Sequence, residues 1–334
     1  MCKGQGTPCP RGSLAHGTLD TDEDDMAQRS DVQLEPQVVV RTGALARGEG
    51  LGIASFVRRF PAGCIGAVIL LLVTFCALAA PLVTVHDPTQ VKLRERKEIP
   101  SWSHPLGTDY EGRDILTRLI YGGRVSLAVS VLSVLLGTTV GALWGVVSAY
   151  VGGRFDMHSQ RLLEIFMSFP PLVLAMLLVI GLGAGLWAVV IAIGITRLPF
   201  GVRVVRSVAL SVKELAYVES ARAIGASNLR IMVLYIAPQC LAAYLVLATA
   251  QLGVAIVIEA SLGFLGVGIP PPTPTWGNMM GGAVANVLIP HWPLVVFPGL
   301  TITLVVLAFN FFGDAIRDVF DPKLRGSNSL TIRT

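Results

Sequence analysis

The sequence predicts an all-α membrane protein with six transmembrane helices, on three observations. Hydrophobic residues fill 53% of the 334 positions and charged residues only 14%, where a water-soluble domain carries roughly 25% charged residues. The deficit of charge is gathered into six long apolar runs, and the mean hydropathy is +0.65. Lysine and arginine concentrate in particular segments between the runs, which sets an orientation. The formal net charge of +4 is small and fits membrane-flanking bases rather than a nucleic-acid surface.

Residues 1–55 read as a polar, disordered cytoplasmic tail with an acidic run at Asp22, Glu23, Asp24 and Asp25 and no secretory signal. Residues 56–86 hold the first transmembrane helix, its apolar part near 61–85, opened by Arg58, Arg59 and Pro61. Residues 87–123 form an extracytoplasmic loop. Within it Thr108-x-x-Glu111 matches a capping box. It predicts a short helix lying on the membrane surface with Ile115, Leu116, Leu119 and Ile120 on one face. Residues 124–315 form the core, with spans near 124–150, 162–182, 185–206, 238–262 and 293–314, and residues 316–334 form a second cytoplasmic tail. Each run suffices for a ~30 Å hydrocarbon layer at ~1.5 Å per helical residue.

The loop from Gly263 to Pro293 has no lysine or arginine and is expected outside. The segment 203–237 carries Arg203, Arg206, Lys213, Arg222 and Arg230, and the turn near 152–161 carries Arg154 and Arg161. With Arg317, Lys323 and Arg325 these place both termini in the cytoplasm. One loop runs against the rule: residues 86–123 hold Lys92, Arg94, Arg96, Lys97, Arg113 and Arg118, yet must lie outside.

Gly137, Gly141, Gly145, Ala149 and Gly153 recur every four residues, a small-residue face on which another helix backbone packs closely. Pro170 and Pro171 predict a kink near the start of the third span. Between the fourth and fifth spans lies a polar elbow at 207–238. There Lys213 to Ile224 can form a short helix, Gly225 suits a left-handed C′ position, Ser227 is a good N-cap for a second short helix, and Pro238 opens the fifth span. Glu259 is the one ionisable residue of the fifth span, a costly placement that points to the translocation path or to a structural pairing. Trp276 suits a membrane interface. The five histidines are scattered and the cysteines show no ligand spacing, so no metal site is expected; Cys2 and Cys9 fall in the polar tail. No phosphate-binding loop and no catalytic motif occurs, so the chain is expected to be no enzyme and to hold no nucleotide itself.

Glu219, Ser220, Ala221, Gly225 and Pro238 resemble the EAA motif of ABC-importer permeases, with Ser220 and Tyr235 as departures from the usual Ala and Ile. Three further blocks resemble the C-type subunit of dipeptide, oligopeptide and nickel importers. They are His104-Pro105-Leu106-Gly107-Thr108-Asp109 continuing to Gly122; Glu259 through Gly266 with Pro271, Pro274, Trp276 and Gly277; and Asn310, Gly313-Asp314, Arg317-Asp318 and Asp321-Pro322. Together with the elbow they cover most of residues 60–325.

The resemblance implies a type I ABC importer permease of the bacterial plasma (inner) membrane. Its expected partners are a second homologous permease, two ATP-binding subunits that carry ATP and magnesium, an extracytoplasmic substrate-binding protein and membrane lipid, with no nucleic acid. The elbow would enter a cleft on the ATPase, Glu219 offering its carboxylate and Gly225 the tight turn. The loop with Gly266, Pro271, Pro274, Trp276 and Gly277 would face the binding protein. Small peptides are the expected cargo, with nickel or a nickel chelate as the alternative; an ATPase-independent channel or membrane scaffold is the reading from a different class.

Overall fold

The computed structural model describes residues 60–285 and 291–320. The acidic run, Cys2, Cys9, His16, Arg58, Arg59, Asp321, Pro322, Lys323 and Arg325 lie outside the described residues. The regular elements are helical, and an isolated bridge joins Thr108 to Asp114. In chain order the principal helices are α1 (Pro61–Leu78), α2 (Ile115–Val151), α3 (Gly153–Met167), α4 (Pro171–Leu182) and α5 (Leu186–Lys213). They continue as α6 (Ala216–Ala223), α7 (Ala237–Phe264), α8 (Trp276–Ala285) and α9 (Pro293–Phe320). Among the described residues five helical stretches are long and apolar enough to cross a membrane, and six if the bent pair α3–α4 counts as one span. Their outward faces carry apolar side chains such as Leu71, Phe75, Leu143 and Leu300, each more than 60% exposed, as lipid-facing helices require.

The expected third span is not one rod. α3 and α4 meet at 90° across Ser168–Pro170. The two prolines explain the break: neither has a backbone N–H to continue the ladder, and each disfavours helical geometry in the residue before it. α4 alone has 12 residues, about 18 Å of helix, short of the hydrocarbon thickness. α3 is held by charge: Arg206 on α5 donates to Asp156 through Nε at 2.6 Å and Nη2 at 2.5 Å, and Ser148 Oγ donates to the same carboxylate at 2.6 Å.

The expected surface helix in the 87–123 loop is also corrected. Thr108 is fully buried and caps no helix; its hydroxyl bonds to the Glu95 carbonyl and accepts from Glu98 N at 2.9 Å. Gly112, at φ +76, turns the chain straight after Glu111, ending any helix begun at Thr108. The cap is Asp114, whose Oδ2 accepts from Thr117 N at 2.8 Å. Ile115, Leu119 and Ile120 are therefore the first turns of α2, a helix of 37 residues and about 55 Å. Ile115 is buried against Met279 and Leu294 rather than lying on a membrane surface.

The small-residue face of α2 packs on α5. A Cβ on Gly141 would come within 2.5 Å of the Leu198 carbonyl, one on Gly145 within 2.7 Å of the Val202 carbonyl, and one on Gly137 would strike the Gly194 carbonyl. Gly201 meets α2 from the other side, 2.9 Å from the Thr138 carbonyl. Backbone therefore lies on backbone along the seam. Ala149 is buried, whereas Gly153 meets nothing and lies beyond the contact. The rest of the core gathers Val129, Val134, Val179, Val189, Ile193 and Leu262 from α2, α4, α5 and α7. α1 docks on α9 through Gly63 and Gly66, close to Ala315 and the Ala308 carbonyl.

Candidate functional site

The elbow follows its local chemistry. α5 runs on to Lys213, so the short helix starts at Ala216 and ends at Ala223. Gly225 takes φ +83, an αL geometry that costs little without a Cβ, and its N–H bonds to the Arg222 carbonyl at 2.9 Å. Ser227 then accepts from Arg230 N and restarts the helix. This second helix is not separate from the fifth span: a π-helical turn, Ile231–Ile236, joins it to α7. Pro238 follows directly, and a widened turn accommodates its missing donor.

The elbow has two chemically distinct sides. Val218, Ala221, Ile231 and Ile236 are buried against Val146, Ala149, Val205, Ala209 and Val212. Tyr150 Oη donates to Asn228 Oδ1 at 2.7 Å, and Lys213 Nζ to the Ala149 carbonyl at 3.2 Å, pinning the elbow to α2. Glu219, Ser220, Gly225 and Pro238 are exposed, and beside them Ile224 and Leu229 are 81% and 68% exposed. Of the five expected coupling residues, Ala221 alone faces inward.

At the other end of α2 the structure rearranges the expectation for the 266–277 loop. Gly266 and Pro271 are exposed, but Pro274, Trp276 and Gly277 are buried. Trp276 is no interfacial residue: its indole donates to the Leu119 carbonyl at 2.9 Å and its backbone N–H to Ser126 Oγ at 3.3 Å, amid Ile256, Val305 and Phe309. A fixed internal acceptor satisfies the indole better than the bilayer surface would. Gly277 and Gly263 allow α8 to lie on α7, a Cβ on either meeting backbone. Glu259, 2% exposed, is hydrogen-bonded by the Ser126 and Thr275 side chains, so its carboxyl ties α7 to α2 and to the start of α8; Oε2 makes no hydrogen bond.

The charged loop that opposed the positive-inside count folds into a cap in which most of the bases are locally engaged, while Arg94 is exposed. Arg113 Nε pairs with Asp109 at 2.7 Å and its Nη1 with Glu111 at 2.8 Å. Buried Arg118 donates to the Pro88 carbonyl at 3.0 Å and lies 3.6 Å from Asp109. Arg96 donates to the Tyr110 carbonyl at 2.6 Å, and Lys97 sits over the Tyr110 ring. Hydrogen bonding from Lys92 holds the Glu95 carboxyl below its usual range. Two of the scattered histidines also meet here, the His86 and His104 rings lying 4.9 Å apart.

One further charged residue was concealed in an apolar run. Arg197 on α5 is 2% exposed; its Nη1 donates to Gln251 Oε1 on α7 at 3.1 Å and Nε contacts Thr196 Oγ1 at 3.3 Å. A cation this deep in a span is the signal that marks it in sequence. On the far side of Thr196 an apolar hollow of about 240 Å³, lined by Phe166, Phe169, Leu174, Pro199 and Phe200 among others, occupies the angle between α3 and α4.

Residues 137–326 match the family model for the binding-protein-dependent transport system inner membrane component. The chain belongs to this family. The permease is 41% identical over 268 residues to the di/tripeptide transport system permease protein DppC of Pseudomonas aeruginosa (strain UCBPP-PA14), covering 78% of this chain and 88% of that one. It is 35% identical over 295 residues to the "Probable D,D-dipeptide transport system permease protein DdpC" of Escherichia coli (strain K12), covering 88% and 99%. Among solved structures it superposes on a chain of the MetNI methionine ABC transporter in an inward-facing conformation, with a TM-score of 0.52 and 22% identity, covering 62% of this chain and 98% of that one. The fold is thus that of a type I ABC importer permease, and the protein is a multi-pass membrane protein without a nucleotide-binding motif in its sequence.

Proposed function

We propose that this permease carries small peptides across a bacterial inner membrane, driven by ATP hydrolysis on separate subunits that grip the elbow at 214–236. The two-sided elbow carries the reading. Its inner face is locked to α2 and α5, while Glu219, Ser220, Ile224 and Leu229 project from the outer face, and the Glu219 carboxylate makes no ion pair or hydrogen bond among the described residues. A carboxylate beside exposed apolar residues on a rigid base suits insertion into a protein cleft. Peptide cargo follows the names of the relatives, a di/tripeptide transport system permease and a "Probable D,D-dipeptide transport system permease". The assembly would comprise a second homologous permease, two ATP-binding subunits with their ATP and magnesium, and an extracytoplasmic binding protein, with both termini of this chain in the cytoplasm.

Glu219→Lys tests the reading in proteoliposomes containing the full complex. Uptake of a labelled dipeptide should fall to background while the chain remains inserted and folded. Uptake at the wild-type rate would remove the elbow from the coupling path.

A further inference from the structure

We propose that Arg197 binds the C-terminal carboxylate of the cargo, and that the hollow between α3 and α4 beside it takes the cargo's last side chain. The proposal rests on the peptide reading and adds to it a recognition point inside the membrane.

The argument begins with an unbalanced charge. Arg197 stands near the middle of the 28-residue α5 and is buried. Its contacts are all neutral. Nη1 donates to Gln251 Oε1 at 3.1 Å, Nε donates to Thr196 Oγ1 at 3.3 Å, and the guanidinium lies 5.1 Å from the centre of the Phe200 ring. Thr196 gives its own proton to the Ile193 carbonyl at 2.7 Å, so towards Arg197 it can only accept. Nη2 is buried and makes no hydrogen bond. The arginines at the two ends of the bundle are treated differently: Arg118 lies 3.6 Å from Asp109, and Arg206 is paired with Asp156. Among the described residues no carboxylate pairs with Arg197. Neutral acceptors and an aromatic face offset only part of the cost of burying a cation. A cation so placed in a span marks a path along which an anion passes.

The free donors suit a carboxylate. A guanidinium has five N–H groups, and Gln251 and Thr196 engage two of them. The second N–H of Nη1 and those of Nη2 remain, and together they form the edge that a carboxylate meets with two parallel bonds. Every linear peptide ends in that group, so recognition there would be indifferent to cargo sequence.

The hollow supplies the room. It measures about 240 Å³, is lined by Phe166, Phe169, Leu174, Thr196, Pro199 and Phe200 among others, and has no acidic side chain on its walls. Thr196 and Phe200 are at once its wall and the neighbours of the guanidinium. Phe200 is half-buried, and a rotation of its ring would join the hollow to Nη2. An apolar side chain of the cargo would then rest among the phenylalanines with its carboxylate turned to Arg197. The hollow is smaller than the ~300–1,000 Å³ of tight small-molecule sites, as befits cargo that must be released.

The test is equilibrium dialysis of labelled alanyl-phenylalanine, and of its C-terminal amide, against the purified complex of permeases and ATP-binding subunits without nucleotide. The binding protein is left out because it makes its own selection of termini. The free acid should bind about tenfold or more tighter than the amide. Arg197→Gln should weaken binding of the acid about tenfold or more and leave the two ligands equal. Arg197→Lys keeps the charge without the two-pronged edge and should fall between. Equal affinity of the wild type for acid and amide, or no detectable binding of either, would overturn the proposal, as would wild-type discrimination in Arg197→Gln. Loss of the second permease from the Arg197→Gln complex, with acid and amide bound equally by the wild type, would assign the anion to a carboxylate of that subunit instead. Uptake of the same dipeptide by the wild-type complex with its binding protein keeps the two readings apart. Uptake without selectivity at the permease sinks this proposal alone, and absence of uptake removes the peptide reading with it.

Discussion

The two ends of α2 are built on opposite principles. At its start the cap turns its charges inward: Arg113, Arg118, Asp109, Asp114 and His104 are spent on one another and on backbone carbonyls. At its end the elbow buries only a narrow apolar base and turns Glu219, Ser220, Ile224 and Leu229 outward. Polar residues that satisfy each other make a rigid terminus, whereas polar and apolar residues left unsatisfied on a rigid base make a surface for something else to complete. Charge density alone does not separate the two ends.

Substitutions at the two ends should therefore divide cleanly between stability and transport. Trp276→Ala, which empties a buried site and removes the indole's bond to the Leu119 carbonyl, should cost about 3–5 kcal/mol, measured as unfolding in mixed micelles. Asp114→Ala removes both a helix cap and the partner of His104, and should cost about 2–4 kcal/mol. A loss below about 0.5 kcal/mol would show that the cap is not held by its own pairings. Ser227→Ala at the elbow should cost only about 0.5–1 kcal/mol, since its cap is exposed. Glu219→Lys should change stability by less than about 0.5 kcal/mol while uptake is lost; a stability loss comparable to Asp114→Ala would erase the contrast. The smallest effect concerns pH. Burial pulls the His291 imidazole below its ordinary 6.5, so the folded protein binds fewer protons there than the unfolded chain. Stability should be flat above about pH 6.5 and decline gently as pH falls towards the folded value. His291→Gln should remove that slope, read from Tm between pH 8 and 5.5.

The elbow was legible because its signals are local. Gly225, Ser227 and Pro238 act within one or two turns, whereas Ala221, expected among the coupling residues, is turned inward beside Val218 by packing that local sequence does not show. The seam of Gly137, Gly141 and Gly145 was legible for the same reason, although its partner α5 was not. Where partners lie far apart in sequence, the reading failed. Thr108-x-x-Glu111 has the spacing of a cap, but Asp114 and the turn at Gly112 take the helix start from it. Trp276 has interfacial chemistry, yet its acceptor is Leu119, 157 residues away. His86, His104 and Asp114 converge only because the cap folds back on itself, and no local spacing announces them. The apolar run at 162–182 shows composition and not direction, so two prolines suggested a kink where the chain turns through a right angle.

The seam between α2 and α5 has a mechanical corollary. With main chain resting on main chain at Gly137, Gly141, Gly145 and Gly201, and Leu136 pressed on Gly194 beside them, little room is left between the two rods. Sliding one past the other would drive backbone into backbone, so the two move as a single plank. Because the elbow is fastened to the end of that plank, even one added methyl group at Gly141 would act as a wedge, splaying the timbers before any load reached them.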